Sequence, residues 1–230
     1  MVEQANRIQT SVLNKAEKKV LVWLAHRQPS WVSSDTLTAV GFIGAVIIAA
    51  GYILTNININ WLWLCSFGYV VNWYGDSLDG TLARVRNCQR PVYGFYIDHT
   101  VDAVNELLMF FGAGLSSLMN LPVALTALVF YLMITLNVSV NAHLRGEFKL
   151  TYFKMGPTEL KILMILTNTA FIIFKPLADY SRTVTVFGQA LSFGILDYVA
   201  IFIIVMLAVI YFITIRSDAK YYSEMDPGKK

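Results

Sequence analysis

Two stretches of this chain, Thr36 to Gly75 and Leu107 to Leu144, run for 40 and 38 residues without a single Asp, Glu, Lys or Arg. Each can hold two membrane spans of about 20 residues and a turn. In the first, the polar but uncharged turn Thr55-Asn56-Ile57-Asn58-Ile59-Asn60 divides the apolar run and predicts spans over 36–54 and 61–83. Farther along, Met119-Asn120-Leu121-Pro122 separates predicted spans over 94–118 and 123–143. A shorter apolar run of 13 residues, Ile162 to Phe174, lies between Lys161 and Lys175. Their long stems can snorkel to the two interfaces of a fifth span over 157–175. Tyr198 to Ile215 adds a sixth over 196–215. Ahead of the first span, Ile8, Val12, Ala16, Val20 and Trp23 recur at three- or four-residue steps, with Lys15, Lys18 and Lys19 off that stripe. The pattern predicts a juxtamembrane helix within residues 1–30 lying in the interface plane. The expected fold is an all-α integral membrane protein, one domain over 1–230, with six transmembrane helices behind an amphipathic interfacial helix.

Composition strengthens this reading. Of 230 residues 56% are hydrophobic and only 14% charged, against about 25% charged in soluble domains. A net charge of +3, dispersed along the chain, points to no nucleic-acid partner. The first thirty residues spread Arg7, Lys15, Lys18, Lys19 and Arg27 among apolar positions, unlike a cleaved signal segment. Cys65, inside an apolar run, and Cys88, in a basic segment, make neither a disulfide framework nor a metal-binding pair. With six spans, 16 of the 18 basic residues fall on one side, leaving Lys175 and Arg182 on the other. Lys and Arg near span ends favour the cytoplasm, so both termini and the loops after the second and fourth spans are expected there.

The loop side of the second and third spans carries the chemistry. Asp76-Ser77-Leu78-Asp79-Gly80-Thr81-Leu82-Ala83-Arg84 is followed nine residues on by Gly94-Phe95-Tyr96-Ile97-Asp98-His99-Thr100-Val101-Asp102. On helices, Asp76 and Asp79 are three apart and Asp98 and Asp102 four apart, so each pair shares a face. Both pairs lie at cytoplasmic span ends and can converge. Four carboxylates together repel strongly unless positive charge is bound. Oxygen donors without His or Cys select hard ions such as Mg²⁺, Mn²⁺ or Ca²⁺, and two such ions could polarise a pyrophosphate. Gly80 and Ala83 keep the helix surface low, and Arg84 suits a phosphate.

This arrangement resembles the signature of the CDP-alcohol phosphotransferase family, D-x2-D-G-x2-A-R-x8 or 9-G-x3-D-x3-D, with all eight specified positions present. At ~5–8% usage per residue type, a chance match is on the order of 10⁻¹⁰ per starting position. The resemblance implies the family's architecture of a juxtamembrane helix and six spans, and a homodimer. It implies that Asp76, Asp79 and Asp98 ligate two divalent cations, Mg²⁺ or Mn²⁺, gripping the pyrophosphate of a CDP-linked donor. Asp102 is then the base that takes the proton of an alcohol acceptor, with possible contact to metal, and CMP leaves. Gly80, Ala83, Arg84 and Gly94 would receive the CDP moiety. The family's Pro-Asn-x-Leu-Thr start of the first span becomes Ser34-Asp35-Thr36-Leu37-Thr38, keeping Leu-Thr and replacing Pro-Asn.

Between the fourth and fifth spans, Arg145, Lys149, Lys154 and Lys161 surround Gly156-Pro157-Thr158-Glu159. Family members using inositol phosphate or glycerol phosphate bind it with basic side chains here, which makes Arg145 and Lys161 the candidates for the acceptor phosphate; a cytoplasmic loop is also basic for topology alone. Gly146 with Thr158-Glu159 is similar to the loop of the choline and ethanolamine phosphotransferases, which have more spans. The short chain favours CDP-diacylglycerol as donor, membrane lipids being its surroundings. His99 and His143 lie outside the motif and read as satisfied polar residues. Glu106, four residues after Asp102, continues its face. Two rivals remain: a cation transporter, which would place carboxylates at the midplane, and an inactive scaffold.

Overall fold

The computed structural model describes residues 6–8, 13–145, 147–149, 156–186 and 189–227. Missing side chains decide where its two central helices touch. Helix α1 spans Asn14–His26, α2 Ser34–Leu54 and α3 Leu62–Val85. A Cβ added to Gly44 would lie 2.4 Å from Asn72 N, and one added to Gly75 would lie 2.2 Å from Gly41 N. Glycine at these positions lets the backbones of α2 and α3 approach as small-residue crossings of membrane helices do. Asn72 Nδ2 then donates to Gly41 O at 2.9 Å, tying the crossing. Helix α2 starts in a capping box, Ser33 Oγ accepting from Thr36 N while Thr36 Oγ1 accepts from Ser33 N.

The chain continues with α4 (Pro91–Gly114), α5 (Leu121–Arg145), α6 (Pro157–Ile173), the short α7 (Lys175–Asp179) and α8 (Ile195–Met225). The main apolar core gathers Ile48, Tyr52, Leu62, Cys65, Tyr69, Leu118, Phe171 and Leu196. A polar thread crosses it: Tyr52 donates to Asn168 Oδ1 at 3.2 Å and Asn168 Nδ2 to Ser66 Oγ at 3.4 Å. A second cluster, Leu21, Ala25, Val32, Leu37, Leu78 and Leu82, seats α1 on α2 and α3.

Several expectations need correction. Strand β1 (Asn6–Ile8) pairs in parallel with β2 (Glu147–Lys149), and β3 (Ser181–Val186) pairs antiparallel with β4 (Gln189–Gly194), so the fold is mostly, not wholly, helical. The β-branched run Thr183-Val184-Thr185-Val186 suits a strand and signals one in the sequence. Ile8 belongs to a strand and not to α1, which begins at Asn14; Val12 lies outside the described residues. The helix buries Leu21 and Ala25 and leaves Val20 and Trp23 of the predicted stripe exposed.

Among the described residues three helices are long and apolar enough to cross a membrane: Ser34–Leu54, Leu121–Leu144 and Ile195–Met225. The other three expected spans fall short of that measure for two reasons, charge and length. Helices α3 and α4 carry Asp76, Asp79 and Arg84 and Asp98, Asp102 and Glu106, and α6 has only 17 residues. Helix α8 runs ten residues past the expected end at 215. There Asn141 Nδ2 donates to Asp218 Oδ2 at 2.7 Å and Tyr222 donates to Asn141 Oδ1 at 2.8 Å, binding α8 to α5.

At the end of the molecule away from the aspartates, Asp197 is 1% exposed. It accepts from Asn120 N at 2.7 Å, Asn120 Nδ2 at 2.8 Å and Gly194 N at 2.9 Å. Asp197→Ala strands these donors and should cost about 3 kcal/mol of stability. The expected result is a thermal midpoint in detergent lower by roughly 5–10 °C, with substrate affinity unchanged.

Candidate functional site

The turn between α3 and α4 brings the aspartates together. Asn87 has φ 53°, a left-handed conformation that Asn tolerates better than most residues. Its N–H bonds to Arg84 O, and Cys88 N–H bonds to Ala83 O at 3.0 Å, closing α3 in a Schellman motif. Pro91 then starts α4 at its first turn, where a missing N–H is harmless. Arg90, the residue just before that start, donates to both oxygens of Asp35 on α2. This hydrogen bond raises the Arg90 pKa above its ordinary value. Position 35, where Asp replaces the family's Asn, thus anchors the loop.

Asp76 of α3 and Asp98 and Asp102 of α4 each offer an oxygen, all within 4.8 Å of one another. Asp79 is not in that group. Its Oδ2 accepts from Thr38 Oγ1 of α2 at 2.7 Å, and its Oδ1 accepts from the Gly80 N–H. Ser34 Oγ donates to Asp79 O at 2.8 Å, so two α2 hydroxyls hold this turn of α3. The retained Thr of the Leu-Thr pair was the sequence signal for this contact. Thr38→Val removes the hydroxyl and keeps the shape. Activity should fall about tenfold, because the Asp79 carboxylate loses the hydroxyl that orients it, with the thermal midpoint nearly unchanged.

Lys161, expected both to edge a span and to be a candidate for the acceptor phosphate, lies beside the aspartates: its Nζ donates to Asp76 Oδ2 at 2.7 Å and its side chain is 14% exposed. Position and length explain this, because α6 starts beside α3 and the ammonium finds a carboxylate within reach. Arg145 ends α5, and its side chain, like Lys154, lies outside the described residues. Arg84 folds back along its own helix, Nη2 donating to Thr81 Oγ1 at 3.0 Å, over the space beside Gly80. A Cβ on Gly94 would meet nothing within 4 Å. Neither Gly80 nor Gly94 is therefore demanded by internal packing. Ala83 is partly buried on the same helix.

His99 Nδ1 lies 3.0 Å from Phe95 O and 3.8 Å from Asp98 Oδ2, with its ring against Phe95. His143 is exposed on α5. Deeper along α4, Asn105 Oδ1 and Glu106 Oε2 are buried without a hydrogen-bond partner among the described residues. Tyr131 of α5, which sequence reasoning passed over, faces Glu106. Three carboxylates with one ammonium leave net negative charge at this end of the fold. Oxygen donors alone fit a hard divalent ion such as Mg²⁺ or Mn²⁺.

The family model described as CDP-alcohol phosphatidyltransferase matches residues 31–210, and the chain belongs to that family. Its members are membrane-bound transferases of substituted phosphate groups that use divalent metals. A phosphatidylinositol phosphate synthase from Cutibacterium acnes is 31% identical over 105 residues, which is 43% of this chain and 48% of that protein. The match spans about half the length of that relative.

Proposed function

We propose that this chain makes phospholipid by transferring a substituted phosphate group from a CDP-linked donor, most suitably CDP-diacylglycerol, to an alcohol of a polar head group such as a polyol phosphate. The observation that carries this reading is the meeting of Asp76, Asp98 and Asp102 from two helices, with Lys161 beside them. The relative's name supports a phosphorylated polyol as acceptor.

In this reading Asp76, Asp79 and Asp98 would hold two divalent cations, Mg²⁺ or Mn²⁺, and Asp102, whose oxygen meets those of Asp76 and Asp98, would share in holding them. The cations, when bound, neutralise pyrophosphate charge and polarise its phosphorus–oxygen bonds. Asp79 is oriented beforehand by Thr38 and by the Gly80 N–H. Asp102 takes the proton of the acceptor hydroxyl as its oxygen bonds to the donor's β-phosphorus. The bond from that phosphorus to the bridging oxygen breaks, and CMP leaves. Asp102 needs little basicity for this, since the proton transfers late, as charge develops on the nucleophile. Lys161, already at the reacting end, and Arg145 receive the acceptor's phosphate. The open space over Gly94, with Gly80, Ala83 and Arg84, takes the nucleotide.

Six spans, α2 to α6 and α8, with α1 in the interface plane, complete the proposed topology over residues 1–230. Aspartates on α3 and α4 then lie at the cytoplasmic span ends, as the basic loops favour. A second copy of the chain is the expected partner.

The test is CMP release by the purified protein in liposomes with Mg²⁺ or Mn²⁺. One arm supplies CDP-diacylglycerol with a panel of polyol phosphates, the other CDP-choline or CDP-ethanolamine with diacylglycerol. Release in the first arm is expected; release only in the second would replace the proposed substrates with an aminoalcohol donor. No release in either would end the enzymatic reading. Gly94→Ala tests the nucleotide placement separately. It should leave the thermal midpoint unchanged and raise the donor KM about tenfold, the effect of about 1.4 kcal/mol of lost binding.

A further inference from the structure

We infer that Glu17, on the juxtamembrane helix α1, is a positioning residue for the proposed transfer: it holds the first turn of α6 against α3, and so places Lys161 on Asp76. The inference rests on the proposed function. One oxygen does this work. Glu17 Oε1 accepts from Thr158 Oγ1 of α6 at 2.6 Å, from Trp73 Nε1 of α3 at 2.9 Å and from Ser77 Oγ of α3 at 3.4 Å.

The spacing gives these bonds their consequence. Trp73 stands three residues before Asp76, and Thr158 three residues before Lys161. On a helix that is close to one turn. Glu17 therefore joins α3 and α6 one turn away from the point where Lys161 Nζ meets Asp76 Oδ2 at 2.7 Å. A return bond makes the joint two-sided. Glu159, next to Thr158, accepts from Leu13 N at 3.0 Å through Oε1 and from Gly156 N at 2.9 Å through Oε2. Each helix thus offers a carboxylate to the other, and α6 begins where α1 begins.

Side-chain chemistry explains why an oxygen acceptor is needed at this position. Three donors from two helices converge on one acceptor, and a carboxylate is the side-chain group that accepts from several directions and donates to none. An alanine would leave Trp73 and Thr158 without their partner and α6 free to shift along α3. Lys161 would then lose the fixed relation to Asp76 that the proposed acceptor site uses. Small misplacements of this kind weigh heavily on catalysis.

The experiment is a double-mutant cycle with Glu17→Ala and Lys161→Ala, reading kcat and KM for CMP release in liposomes. Glu17→Ala should lower kcat/KM about tenfold or more, the effect of losing a hydrogen bond to a charged group. In the Lys161→Ala background the same change should cost almost nothing further, because the residue acts through Lys161. Glu17→Gln keeps a carbonyl acceptor and should recover most of the loss. Equal losses in both backgrounds, or a Gln variant as impaired as Ala, would overturn the inference. Where Glu17→Ala does not fold, Thr158→Val removes one donor, and additivity with Lys161→Ala is equally fatal to it. The same cycle read as the shift in thermal midpoint on adding CMP and Mn²⁺ needs no turnover. Absence of CMP release by the unmodified protein overturns the proposed function, whereas additive midpoint shifts overturn the role of Glu17.

Discussion

Asparagine at position 98 should leave the protein folded and CMP release lower by roughly 10³-fold, the rate equivalent of several kcal/mol of electrostatic stabilisation. Asp98 is one of three aspartates whose oxygens meet within 4.8 Å. The Asn side chain has nearly the same shape, so packing around α4 is preserved. What changes is charge: an amide offers one neutral oxygen where a carboxylate offers two with a formal charge. Stabilisation of the protein by CMP should lose its dependence on Mn²⁺. Near-normal turnover in this variant would remove Asp98 from the site. Asp102→Asn gives the contrast. As the base it should lose turnover comparably while keeping more of the metal-dependent CMP stabilisation. Collapse of that stabilisation to the Asp98→Asn level would make Asp102 a ligand first and a base second.

Gly75→Ala is the second large effect, and it begins in packing. The new Cβ would lie 2.2 Å from Gly41 N and 2.5 Å from Leu37 O. Both are backbone atoms of α2, which cannot rotate out of the way as a side chain can. The helices must part, at a cost of about 1–3 kcal/mol, sometimes more. Asp76 is the next residue, and Asp79 follows one turn on with its Thr38 bond across the same crossing. Loss of both stability and turnover is therefore expected, read as a lower thermal midpoint and reduced kcat. The reciprocal Gly41→Ala is the control. Its Cβ would stand 3.1 Å from Asp76 N, a tight contact that a small shift relieves, so its loss should be clearly smaller. Equal effects at the two positions would show that the crossing is looser than these distances say.

Much of the molecule could be read along the chain because the properties concerned are local. Two charge-free stretches of about 40 residues, the basic loops and the aspartates at fixed spacing mark a membrane protein and carry the signature of its family. The β3–β4 hairpin does not stand out along the chain, because its β-branched run is short and lies between two longer apolar stretches. Six spans were expected, and among the described residues three helices meet the length and apolarity of a span. The reason is chemical: α3 and α4 carry the charges of the site and so lose the hydropathy that marks a span.

Spacing within a helix determines which side chains share a face, and to that extent the pairing of Asp76 with Asp79 and of Asp98 with Asp102 was settled by order along the chain. Which carboxylates meet is a relation between helices. The Schellman turn at Asn87 and the glycine crossing of α2 with α3 bring Asp76 to Asp98 and Asp102, while Thr38 turns Asp79 toward α2. The same holds for Lys161 and Glu17. Read along the chain, Lys161 is a charge at the edge of an apolar run and Glu17 one residue of a charged helix. Only the packing of α1 and α6 beside α3 brings the one to Asp76 and the other to Trp73 and Thr158. Residue type and order determined the family and the chemistry available; distances between helices, set by side-chain volume and turn geometry, decided which groups can act together.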